Sequence, residues 1–193
     1  VIANHASWFD PLLLAFFIPR PITPMMSSGF YDLPVMRWLM FRVFRTIRVA
    51  DKTVRRDTPE IDTAVTSLDA GHCVVLFPEG YLRRTEEQVV RRFGQGVWQL
   101  LKARPQTPVV ACWIEGVWGS YFSHFNGPPT KNKKFDVRRP VAIGVSAPEV
   151  VPAEVLVGHL AARVYLMNRV LAARAHLGLP EVPRVELPGK DEE

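Results

Sequence analysis

The stretch Gly71-His72-Cys73-Val74-Val75-Leu76-Phe77-Pro78-Glu79-Gly80 carries the chain from one glycine turn to another. Between the turns, Cys73 to Phe77 is apolar without a break and rich in β-branched and aromatic side chains. A short apolar run bounded by turn residues reads as a strand buried on both faces, as in a parallel sheet. His72 to Phe77 is therefore expected to be a strand, and Thr58 to Ala70 before it a helix that Gly71 ends. The strand leaves through Pro78-Glu79-Gly80 at its carboxyl end. In open α/β sheets, ligands bind beyond the carboxyl ends of the strands, so this turn is a candidate site.

The same alternation repeats outward from it. Val1 to Ala3, Ile22 to Ser28, Thr46 to Ala50, Val109 to Glu115 and Val141 to Val145 read as strands. Pro24 weakens the second of these, because a proline cannot donate to a ladder. Pro11 to Ile18, Leu33 to Phe44 and Val97 to Ala103 read as helices. Pro152 to Leu177 reads as one long helix, with apolar residues recurring through Val155, Leu160, Val164, Met167 and Leu171. Strands alternating with helices predict an α/β fold, a mostly parallel sheet flanked by helices. Residues 1–179 are expected to form one domain, and 180–193, rich in proline and acidic at the end, a disordered tail. The chain opens on Val1 in what reads as mid-strand, so it is expected to be an N-terminally truncated fragment.

A second polar turn lies near the start: Asn4-His5-Ala6-Ser7-Trp8-Phe9-Asp10, entered from Val1-Ile2-Ala3 and left through Pro11. A His and an Asp five positions apart on such a turn can fold back until imidazole meets carboxylate. The carboxylate then fixes the tautomer, and the other ring nitrogen is placed to take a proton from a hydroxyl. A plainer reading stands beside it. Asp10 before Pro11 is also a good helix cap followed by a good first helical residue, with His5 a hydrogen-bonded loop residue.

At 193 residues with a formal net charge of +5, the chain is long enough for one sizeable core and favours acidic partners. Nucleic acid, anionic lipid and anionic substrates all fit that charge. Cys73 and Cys112 sit in apolar runs and are expected to be buried reduced thiols, with no metal-ligand spacing. No apolar run reaches the length a membrane helix needs. The predicted helix over 33–44 combines Trp38 and Phe41 with Arg42 and Arg45 nearby. It reads either as an amphipathic helix lying on an anionic membrane surface or as a half-buried helix with a solvated basic face.

Asn4-His5-x-Ser7-x-x-Asp10, followed downstream by Phe77-Pro78-Glu79-Gly80, resembles the motifs of the glycerolipid acyltransferases, the family of 1-acylglycerol-3-phosphate acyltransferase. The resemblance runs from Val1 to about Val151. Cys112 to Ser120 is most similar to the acyltransferase portion of bacterial lysophospholipid acyltransferase/acyl-carrier-protein synthetase fusions. The resemblance implies a glycerolipid acyltransferase-like fold and transfer of a fatty acyl group from a thioester to a lysophospholipid hydroxyl. The thioester, on acyl carrier protein or coenzyme A, is a substrate, and no cofactor is expected. His5 matches the family's general base and Asp10 its partner. Phe77, Pro78, Glu79 and Gly80 match the motif that holds the acceptor's polar head. The family pattern places an arginine two residues after the glycine; here Tyr81-Leu82-Arg83-Arg84 follows, so Arg83 is the first cation available for a phosphate. Lys52 is the nearest match to the cation that ends another family motif, and it reads equally as a solvated lysine. Lys131, Lys133 and Lys134 read as a solvated loop.

Ser7 tests poorly as a nucleophile, since Gly-x-Ser-x-Gly occurs nowhere in the chain. The expectation is therefore a lysophospholipid acyltransferase at the cytoplasmic face of the cell membrane, with no nucleic-acid partner. Two rivals remain at this stage: an inactive lipid-binding or interaction domain of the same fold, and a basic nucleic-acid-binding module.

Overall fold

The computed structural model describes residues 1–27, 46–49, 59–136 and 138–187. The predicted helix over 33–44 and Lys52 lie outside them. The chain divides into two compact units, one of Val1 and 11–76, the other of 2–10 and 77–193.

In the first unit, strands β2 (Ile22–Ser27), β3 (Ile47–Val49) and β4 (Cys73–Val75) form a parallel sheet in the order β3-β2-β4. β4 is the apolar run that suggested a strand, and Val74 and Val75 are buried in it. β4 flanks the first half of β2, pairing Pro24 with Val75, and β3 flanks the second half from Met25 onward. Pro24 thus stands where the neighbouring strand changes over, which is how a proline is accommodated in the middle strand. Val1 adds to the edge of β4: its amino group donates to the Val74 carbonyl at 2.8 Å, and its own carbonyl accepts from Leu76 N at 2.9 Å. Helix α1 (Asp10–Phe17) enters this unit at Pro11, and α2 (Pro59–Asp69) buries Ile61 and Ala64.

The second unit is built on β1 (Ile2–Ala3), β6 (Ala111–Glu115) and β7 (Ala142–Val145). β1 runs parallel to β6, and β7 antiparallel to it. Instead of the one mostly parallel sheet that the alternation with helices predicts, the described residues form separate sheets: the first unit's sheet is wholly parallel, and the second unit has one parallel ladder and two antiparallel ones. Helix α3 (Gly96–Ala103) buries Val97, Leu100 and Leu101. The strand expected over 109–115 is broken at Val110. β5 (Pro108–Val109) pairs antiparallel with β8 (Glu149–Val150), and from Ala111 the chain changes partners to β1 and β7. The long helix expected from Pro152 is likewise two helices, α4 (Ala153–Leu156) and α5 (His159–Ala175). Gly158 breaks it by taking an extended backbone, φ −126° and ψ 139°.

α5 lies on β6 and β7 and buries Leu166, Met167, Val170 and Ala173. A Cβ on Gly144 would stand 2.1 Å from the Ala173 carbonyl oxygen, so only glycine lets helix and strand come this close. Residues 180–187 form no helix or strand, but Asn168 of α5 holds Val185 through both its backbone N–H and its carbonyl, each at 2.9 Å. Cys112 is buried, as expected, and Cys73 half-buried. Among the described residues, no helix is long and apolar enough to cross a membrane.

Candidate active site

The site lies wholly in the second unit, on the loop from Asn4 to Asp10. Asn4 fixes where the loop starts. Its side-chain amide donates to the Ile114 carbonyl at 3.0 Å, and its oxygen accepts from Ile114 N at 2.7 Å. The buried side chain thus continues the β1–β6 pairing one residue past the strand.

Asp10 closes the loop. Its Oδ2 accepts from Ala6 N at 2.7 Å and Ser7 N at 2.9 Å, and stands 2.8 Å from His5 Nδ1. All three donors lie upstream. A helix cap would take its hydrogen bonds from the amides two or three residues downstream, and no such bond is present among the described residues. The helix-cap reading of Asp10 therefore gives way to an imidazole–carboxylate pair, with the carboxylate fully buried and the imidazole 19% exposed. Ser7 is buried. Its backbone N–H donates to Asp10, its Oγ accepts from Phe9 N at 3.2 Å, and its backbone bridges to Ser123. These bonds make Ser7 a hydrogen-bonding residue of the loop.

The Phe77–Gly80 turn meets this loop directly. The His5 ring stacks on Phe77 with centroids 4.3 Å apart. Glu79 is buried and accepts two backbone bonds, from His5 N to Oε1 at 2.8 Å and from Arg91 N to Oε2 at 2.9 Å. Both oxygens are therefore engaged by the protein itself. Burial pushes the Glu79 carboxyl up to about 7; the two N–H donors pull it back, and the nearby Asp10 charge adds a smaller rise. Pro78 contributes its carbonyl, which accepts from Gly94 N at 2.7 Å. Gly80 closes the turn by donating to the Phe77 carbonyl at 3.0 Å, with φ at +71°, a conformation that favours glycine.

Arg83 is laced into the same assembly. Its backbone N–H donates to the His5 carbonyl at 2.7 Å. Its guanidinium gives Nε to the Thr85 carbonyl at 2.8 Å and Nη2 to the Glu86 carbonyl, and lies 4.6 Å over the Trp118 ring. Burial pulls its pKa below the ordinary arginine value, with Glu115, Glu86 and Glu79 pulling the other way. Arg84 beside it is exposed and makes no hydrogen bond or ion pair among the described residues. His5, Asp10, Phe77, Pro78, Glu79, Gly80 and Arg83 are thus one assembly; of the predicted site residues only Lys52 lies outside the described part of the chain.

Sequence reasoning missed the supporting groups. Trp118 lies in the Cys112–Ser120 stretch that carries part of the resemblance but had no role assigned there, and the Arg91 backbone carries no motif. Arg139, whose guanidinium bonds the carbonyls of Gly116, Trp118 and Gly119, stands in an unremarkable charged stretch. The paired glycines 116 and 119, both at positive φ, were the available signal for a structured turn. Among the described residues, no cluster of His, Cys, Asp and Glu is arranged to hold a metal.

A loop that joins an imidazole to a buried carboxylate and leaves the ring's far edge open can move a proton at a hydroxyl. The family model described as Acyltransferase matches residues 1–115, which takes in both motif turns, and the chain belongs to this acyltransferase family. Its fold is similar to that in the crystal structure of the 1-acyl-sn-glycerophosphate (LPA) acyltransferase, PlsC, from Thermotoga maritima. The TM-score is 0.65 at 17% sequence identity, over 94% of this chain and 67% of that one.

Proposed function

We propose that this acyltransferase moves a fatty acyl group from a thioester, on acyl carrier protein or coenzyme A, to the free hydroxyl of a lysophospholipid such as 1-acylglycerol-3-phosphate. The observation that carries the reading is the 2.8 Å pair of His5 Nδ1 and buried Asp10 Oδ2. Asp10 keeps the ring proton on Nδ1, so Nε2 presents its lone pair. The acceptor hydroxyl gives its proton to Nε2 as its oxygen attacks the thioester carbonyl carbon. The C–S bond then breaks, the thiolate leaves, and the imidazolium returns the proton to the sulfur. General-base action of this kind is worth roughly 10²–10⁴-fold, and holding thioester against hydroxyl supplies the rest.

Glu79 acts on the backbone. By holding His5 N it fixes where the imidazole begins, and by holding Arg91 N it anchors the segment beyond the turn. Arg83 and Arg84 are the cations for the head-group phosphate. Arg83 enters with part of its fork already given to carbonyls, and Arg84 enters unengaged. The activity named for the Thermotoga protein, acylation of 1-acyl-sn-glycerophosphate, favours a lysophosphatidic acid acceptor, and the proposed site of reaction is the cytoplasmic face of a membrane.

The test is acyl transfer by the purified chain with acyl-coenzyme A and acyl-carrier-protein donors against lysolipids of several head groups. Turnover with one or more lysolipids, abolished by His5→Ala at an unchanged melting temperature, is the expected result. No transfer with any pair, or full activity of His5→Ala, would refute it.

A further inference from the structure

The residues between His5 and Asp10 do more than span the pair. Trp8 and Phe9 are 38% and 42% exposed, although an aromatic ring usually finds cover in a monomer. Phe9 packs on Phe122 at 4.4 Å and Trp8 lies 6.5 Å from it. Phe122 meets Tyr121 at 5.1 Å and Phe135 at 6.1 Å, and Phe135 is 64% exposed. The rings form a continuous aromatic patch beside the His5–Asp10 pair.

The patch is rigidly presented. Trp8 N donates to the Phe122 carbonyl at 3.2 Å, and Thr130 N to the Tyr121 carbonyl at 2.7 Å. Lys133 is spent inside the loop, donating to the carbonyls of Phe125, Gly127 and Pro128. The exposed cations are others: Lys131, Lys134, Arg138 and, from the neighbouring turn, Arg84. From Gly116 to Arg139 the chain has a single acid, Asp136. Half-buried His124 has its pKa lowered by desolvation and further by Arg84 and Lys133, so positive charge does gather at this loop.

We propose that this surface is the face by which the protein docks on a membrane containing anionic phospholipid, with the rings entering the headgroup boundary and the cations meeting phosphate. Tryptophan, tyrosine and phenylalanine with flanking lysines suit that boundary, where one side is apolar and the other wet and negatively charged. The choice of a bilayer rests on the proposed function, in which the acceptor is a membrane lipid. Docking here would bring the Asn4–Asp10 loop, which carries His5 as well as Trp8 and Phe9, to the surface in which that lipid lies.

The experiment uses the full chain, vesicles of neutral phosphatidylcholine with and without phosphatidylglycerol, and flotation to read binding. Binding is expected to be stronger with the anionic lipid and to weaken with salt, since exposed charges are screened beyond ~10 Å at 0.1 M. Phe135→Ser and the double variant Lys131→Glu/Lys134→Glu should each lose about tenfold or more in vesicle affinity at an unchanged melting temperature. Phe135→Trp should bind as well as the parent chain. His5→Ala should bind vesicles as the parent does, so an inactive protein with variant-sensitive binding would sink the proposed function and leave this surface standing. Equal vesicle binding by parent, Phe135→Ser and the lysine double variant would overturn the surface. So would unchanged vesicle binding with a raised KM for an acyl-carrier-protein donor, which would assign the patch to an acidic protein.

Discussion

Asp10→Asn probes the site at its narrowest point. Three donors converge on one oxygen, Oδ2: His5 Nδ1 at 2.8 Å, Ala6 N at 2.7 Å and Ser7 N at 2.9 Å, in a fully buried side chain. An amide fits this position in two ways, and both lose. With its oxygen toward the donors, the contacts survive but fall from charge-assisted to neutral strength, roughly half. Its NH2 then occupies the place of Oδ1, which is buried and has no hydrogen-bond partner among the described residues. An unsatisfied buried donor costs about 1–3 kcal/mol. Turned the other way, the NH2 faces two backbone N–H groups, and His5 must offer its lone pair at Nδ1. That puts the ring proton on Nε2, where a base needs none.

The expected cost is therefore about 2–4 kcal/mol of stability from the weakened and orphaned groups. On catalysis, the variant should lose most of the general-base contribution, roughly 10²–10⁴-fold in kcat. That is ~3–5 kcal/mol at 1.36 kcal/mol per tenfold. Initial rates with both substrates saturating, at a temperature well below the variant's melt, separate the two effects. The helix-cap alternative makes the opposite forecast, since Asn caps as well as Asp. An unchanged melting temperature with kcat within about threefold of the parent would refute the pair as the working element.

Glu79→Gln should remove a pH dependence. The folded carboxyl sits at about 7 against an ordinary 4.5, so its contribution to stability is full below 4.5 and lost as pH rises through 7. The parent's stability relative to Glu79→Gln should therefore fall by up to about 3 kcal/mol across that window, and a flat difference in denaturant titrations would show that the carboxyl titrates normally. Arg84→Ala should raise the KM for a phosphate-bearing lysolipid, leave the thioester KM alone and keep the melting temperature. Arg83→Lys, which keeps the charge but loses the fork bonded to Thr85 and Glu86, should lower the melting temperature as well. The reverse ranking would reassign the phosphate contact. Ser7→Ala should cost only a modest part of kcat, and an acyl group trapped on Ser7 by mass spectrometry would overturn direct transfer.

What could be read from the sequence followed the range of the interactions. The β4 strand, the helix stopping before Gly71 and the Asn4–Asp10 turn rest on local pattern, and each stands within a residue or two of its expected place. The break at Val110 was invisible because both sides of it are equally apolar; what divides them is a change of partner strand, from β8 to β1 and β7. Gly158 was visible in sequence, but the apolar recurrence ran through it unbroken and hid the stop. For Asp10, spacing alone left cap and catalytic partner open, since the difference lies in which amides its oxygen collects.

Glu79 carries that point furthest. As a motif residue it read as part of the turn that holds an acceptor's head, yet both its oxygens go to backbone N–H groups, one of them on His5. Asp10 takes two more backbone N–H groups from the next residues, Ala6 and Ser7. Three consecutive amides are thus drawn toward two buried carboxylates, and the Asn4 amide pins the residue before them to β6. The loop's shape is set by charge meeting backbone, which any side chain can supply an amide for. Ala6, Trp8 and Phe9 are thereby released from building the site, and the last two are left to face outward. Removing either carboxylate should therefore disturb His5 even where the imidazole itself loses no side-chain contact. For Glu79→Gln that means a loss in kcat with the Asp10 pair intact, and full kcat in this variant would confine the organisation of the loop to Asp10.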